Sequence, residues 1–92
     1  MSKYLIEVPH EGTKDACMRA IKVFMDTGSH FLTHAEWGCI DGEHKAWMIV
    51  EVKDKAAAKQ ILPSLYKMKA KITRLEQLSR KDLTETVMEH HN

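Results

Sequence analysis

An α+β fold is predicted for this chain by three observations. Runs whose apolar residues alternate are interleaved with runs whose apolar residues return at helical spacing. The turn dipeptide Asp41-Gly42 separates two of the alternating runs, and Thr13 and Asp54 each stand as a helix cap after a strand-like run. Lys3–Val8 reads KYLIEV, with Tyr4, Ile6 and Val8 on one face and Leu5 and Glu7 on the other, as a half-buried strand requires. Pro9 and Gly12 end it. Thr13 caps a helix from about Lys14 to Thr27 that collects Cys17, Ala20, Ile21 and Phe24 on one side, with Gly28 at the C-terminal left-handed position. A strand from His30 to Cys39, a type I′ turn at Asp41-Gly42 and a strand from Lys45 to Val52 follow as a hairpin. Asp54 caps the helix KAAAKQIL, which Pro63 ends, and AKITRLEQL is a fourth strand. Ser79 and Asp82 form a capping box before a last amphipathic helix, RKDLTETVMEHH, with Leu83, Val87 and Met88 on its apolar side.

The order β-α-β-β-α-β with a C-terminal helix permits two right-handed split βαβ units. They give one antiparallel sheet in the order 4-1-3-2 with both main helices on one face, the ferredoxin-like sandwich. Ninety-two residues close one core, so residues 1–92 read as a single domain.

Composition excludes several classes of function. Fourteen Lys and Arg against thirteen Asp and Glu leave a net charge of +1, which argues against nucleic acid as a partner. No window approaches a membrane span and the N-terminus lacks the apolar core of a signal peptide, so a cytoplasmic location without membrane contact is expected. Cys17 and Cys39 are then expected as reduced thiols. No Gly-rich phosphate loop, nucleophile elbow or acidic Mg²⁺ motif is visible.

If Asp41 and Gly42 are the turn residues, position 37 faces 46 and 36 faces 47. Phe31, Thr33, Ala35, Trp37 and Cys39 then lie under the helices with Ala46, Met48, Val50 and Val52. The opposite face carries Leu5, Glu7, Leu32, His34, Glu36, Trp47, Ile49 and Glu51. That face is too apolar for open solvent, and the simplest cover is a second copy of the same sheet, so a homodimer with a chamber between facing sheets is expected.

These residues resemble a known family. YLIEV at the start and THAEWGCIDGEHKAWMIVEV before an Ala-rich helix are similar to the small dimeric α/β-barrel proteins, near an uncharacterised branch with a nickel-binding member. The resemblance spans Lys3 to about Leu78. His34 and Glu51 match its pattern, and Met48 stands where that pattern has a cysteine. It implies a dimeric α/β barrel with a divalent metal or small organic ligand in its chamber. An alternative it implies is a cofactor-free isomerase or monooxygenase.

Two clusters are candidate sites. On the open face, His34 and Glu36 are suitable metal ligands, with Glu7, Trp47 and Glu51 as ligand-binding neighbours; in an enzyme His34 is the catalytic proton carrier and Trp47 holds an apolar ring. The same groups read equally as solvated or cross-paired side chains, and the face as a site for another protein. The second cluster is His10, Cys39 and His44, which the 4-1-3-2 order brings to one rim and whose donor types suit nickel or zinc. It lacks Cys-x-x-Cys or His-x-x-x-His spacing, so separate surface histidines beside a buried thiol are its competing reading. Cys17 reads as core filler, and His90 and His91 as adventitious metal binders.

Overall fold

A computed structural model describes residues 1–27 and 29–82. The elements in chain order are β1 (Ser2–Pro9), α1 (Lys14–Asp26), α2 (His30–Thr33), β2 (Glu36–Trp37), a 3-10 turn (Cys39–Asp41), β3 (Lys45–Val52), α3 (Lys55–Gln60), α4 (Ser64–Lys67), β4 (Lys71–Leu75) and α5 (Arg80–Asp82). The four strands form one antiparallel sheet in the order β2-β3-β1-β4, which is 4-1-3-2 counted from the other edge.

Alternation decides which sheet face is covered. Tyr4, Ile6 and Val8 of β1 and Ala46, Met48 and Val50 of β3 are buried, together with Ala20 and Phe24 of α1, Leu32 of α2, Ala58 of α3, Leu62, and Tyr66 of α4. These side chains form one cluster, flanked by Val23, Ala35, Trp37, Val52 and Ile72. The other face holds Leu5 opposite Ile49 and Glu7 opposite Trp47, and Ile49 is 62 % exposed. The helix caps are as the sequence requires: Thr13 Oγ1 accepts from the Ala16 amide at 3.1 Å and Asp54 Oδ1 from the Ala57 amide at 2.8 Å. Ser79 and Asp82 form the expected box, whose Ser79 amide and hydroxyl hold the Asp82 carboxyl below its ordinary range.

Several expectations need correction. The dimeric α/β barrel, and with it the resemblance to that family, is not upheld: the sheet is open, with β2 and β4 as its edges. The physical reason is the brevity of β2, a two-residue strand where ten residues from His30 to Cys39 were expected. His30–Thr33 is instead a helical turn. The Thr33 amide donates to the Ser29 carbonyl at 3.0 Å, while Thr33 Oγ1 and His34 Nδ1 donate to the His30 carbonyl at 3.0 and 2.8 Å. Those local bonds occupy groups that a strand would have offered to its neighbour. The turn also inverts the expected faces, since Leu32 is fully buried and Phe31 is 36 % exposed.

The hairpin pairing is nevertheless Glu36 with Trp47 and Trp37 with Ala46, as counted from Asp41-Gly42. The loop itself is not a type I′ turn, because only Gly42 has a positive φ, +83°. Pro63 ends α3 but also opens α4, a further turn that buries Tyr66. The fourth strand stops at Leu75. The positions of Gly28, Leu83, Val87, Met88, His90 and His91 lie outside the described residues.

Candidate metal centre

The β1–β3 ladder ends with Pro9 opposite Lys45, and its continuation sets His10 beside His44, where the His10 amide donates to the His44 carbonyl at 3.0 Å. Across the hairpin tip, the Gly38 carbonyl accepts from the Asp41 and Glu43 amides at 3.0 and 2.9 Å, and the Gly38 amide donates to the Lys45 carbonyl. This closes a compact loop that swings Cys39 back over the end of β1. The result is that His10 Nε2 lies 3.1 Å from Cys39 Sγ.

One ligand atom from each of His10, Cys39 and His44 lies within 4.8 Å of the others, and all three residues are half-buried. Among the described residues this is the group of His, Cys, Asp and Glu side chains close enough to hold an ion. His10 Nδ1 is 2.9 Å from the Glu11 carbonyl, which can only accept, so Nδ1 carries the ring proton and Nε2 presents its lone pair to the cluster. A backbone carbonyl on the far nitrogen is the usual outer partner of a metal-binding imidazole. His44 stacks edge-on to His10 with ring centroids 5.7 Å apart, and its Nδ1 is buried without a hydrogen-bond partner. Gly12 leaves the space for that ring, since a Cβ there would meet His44 Cδ2 at 3.2 Å. The Trp37 ring, 6.0 Å from His10 and 5.0 Å from Phe24, joins the rim to the core.

Burial pushes the Cys39 thiol up to about 11, and Cys17 beside it adds to the shift. At neutral pH the sulfur is therefore a protonated thiol that a metal must deprotonate to bind. A cleft beside His10 is lined by Glu11, Arg19, Leu65, Tyr66 and Lys69, so the rim opens onto a surface with charges of both signs.

The open-face candidates are arranged differently. His34, Glu36, Trp47, Leu5 and Ile49 line a shallow groove. Trp47 Nε1 donates to Glu7 Oε1 at 3.2 Å, which joins those two across β1 and β3. His34 and Glu36 are exposed, and the His34 ring is turned to the His30 carbonyl. Glu51 pairs with Lys3, four residues along β3 from Trp47 and so about 13 Å away at the usual strand rise.

Sequence reasoning missed the contact between Cys17 and Cys39, whose sulfurs are 2.8 Å apart. The available signal was position: Cys17 lies four residues after the Thr13 cap, hence at the same end of the molecule as His10.

No family model, curated protein or solved structure matches the chain. Among the described residues no helix is long and apolar enough to cross a membrane.

Proposed function

We propose that this is a metal-binding domain holding a divalent ion of borderline softness, zinc foremost, between His10, Cys39 and His44. The observation that carries this reading is the convergence of three donor atoms within 4.8 Å, drawn from the end of β1, the hairpin tip and the start of β3. Two supports come from polar groups that the protein alone leaves poorly used. His10 has its tautomer set by the Glu11 carbonyl so that a lone pair faces the cluster, and His44 has a buried Nδ1 with no partner. Imidazole and thiolate together suit zinc, which accepts any near-tetrahedral arrangement, better than the hard oxygen-seeking cations. Tetrahedral zinc sets its N and S ligands about 3.4–3.6 Å apart, between the 3.1 Å that separates His10 Nε2 from Cys39 Sγ and the 4.8 Å that bounds the whole group.

The test is equilibrium dialysis of tag-free protein against zinc in the presence of a competing chelator. A His90→Ala, His91→Ala background removes two further histidines. One zinc per chain is expected, lost in His10→Ala, Cys39→Ala and His44→Ala and retained in His34→Ala. Loss with His34→Ala and retention with His10→Ala would move the site to the open sheet face, and no binding by the unsubstituted rim would refute the proposal.

A further inference from the structure

We infer that Cys17 is the fourth ligand of the ion held by His10, Cys39 and His44, so that the centre is a closed Cys₂His₂ zinc site; this rests on the reading of the rim as a metal centre. Cys17 Sγ is already 2.8 Å from Cys39 Sγ, although it stands beside the mutual grouping of the other three rather than in it. Two thiolates on one tetrahedral zinc, with Zn–S bonds of about 2.3 Å, are about 3.8 Å apart. The pair therefore has to open by about 1 Å as the ion enters.

The placement of Cys17 on α1 fixes its sulfur at the rim. Its amide donates to the Thr13 carbonyl at 3.0 Å, which puts it in the opening turn of a 13-residue helix. Charge gives a second argument. A divalent ion with two neutral imidazoles and one thiolate leaves a net positive charge at a half-buried rim walled by Trp37, whereas a second thiolate makes the centre neutral and removes that desolvation cost. In forming the centre two S–H bonds break, two Zn–S bonds form and two protons pass to solvent, with no change of oxidation state.

A closed site of this kind belongs to the structural class of zinc centres, in which no coordination position remains for water. X-ray absorption at the zinc edge of the loaded, unsubstituted protein should therefore show two sulfur and two nitrogen neighbours. Cobalt(II) in place of zinc should show an intense sulfur-to-metal charge-transfer band, cut to about half in Cys17→Ala as one of two thiolates is lost. Zinc affinity in that variant should fall by at least the about 10–100-fold that even outer-sphere partners cost. One sulfur in the absorption spectrum, or an undiminished cobalt band in a Cys17→Ala protein that still binds, would overturn the fourth ligand and leave the three-residue reading standing. Absence of zinc binding in the unsubstituted protein would overturn both. Should Cys17→Ala not fold, the sulfur count in the unsubstituted protein decides alone.

Discussion

Replacing Leu32 by alanine separates the helical turn at His30–Thr33 from the strand that alternation suggests. Leu32 is fully buried among Phe24 and the β3 side chains, whereas Phe31 is 36 % exposed. Truncating a fully buried leucine removes its transfer free energy and leaves a cavity, a loss of about 2–5 kcal/mol. Taking about 3 kcal/mol and the about 4–8 °C per kcal/mol typical of a domain this size, the melting temperature should drop by about 12–24 °C. Phe31→Ala removes a larger side chain from a surface position and should cost about 1 kcal/mol or less. Urea titration of both variants, followed by circular dichroism, compares them under one condition. In a strand from His30 to Cys39 the order of the two effects would be reversed. A Phe31→Ala protein less stable than Leu32→Ala would therefore refute both the turn and the burial pattern built on it.

Gly38→Ala tests the geometry of the hairpin tip, since a Cβ there would meet Trp47 Cζ3 at 2.6 Å and the Glu43 carbonyl oxygen at 2.7 Å. A loss of about 1–3 kcal/mol is expected from the overpacking, and unchanged stability in urea would mean the tip is looser than described. The thiol of Cys39, pushed up to about 11, predicts that zinc binding is linked to pH. Below that value the thiol holds a proton that the ion must displace, so apparent affinity should climb by at least about tenfold per pH unit between about pH 7.5 and 9. Calorimetry in buffers of different ionisation enthalpy measures the release directly, and binding without proton release at about pH 8 would show that Cys39 is not a ligand.

Where two faces of a segment differ strongly, the sequence is a sufficient guide. In β1 the buried set Tyr4, Ile6 and Val8 alternates with Leu5 and Glu7, and both the strand and its buried face follow. The pairing of Trp37 with Ala46 was legible for a less direct reason. A loop from Gly38 to His44 keeps the residue count of a two-residue turn at Asp41-Gly42, although its backbone is a 3-10 turn closed by Gly42 in the left-handed region. The misread segment is HFLTHAEW, where adjacent Phe31 and Leu32 satisfy either period and the choice falls to Thr33 and His34 bonding back to His30. Such competition between a side chain and the ladder leaves no trace in an apolar pattern. For α4 the single turn is too short to show a period, and Pro63 signals only that α3 stops.

The His10, Cys39 and His44 cluster is legible in the sequence as a place rather than as a site. Strand order brings the end of β1 to the hairpin tip, so His10, Cys39 and His44 could be assembled on paper without any spacing motif. What the chain does not encode locally is their coordination chemistry: the Glu11 carbonyl that fixes the His10 tautomer, the unpartnered His44 Nδ1 and the approach of Cys17 all depend on packing between separate elements. A zinc knuckle with paired ligands two residues apart can hold its ion on one short loop, and that is why sequence shows it. Here the donors come within reach of one another only once β1 has paired with β3 and the hairpin tip has closed. On the proposed reading, metal affinity would be inseparable from the fold, because an unfolded chain holds these donors apart and the ion's binding energy would act as folding energy.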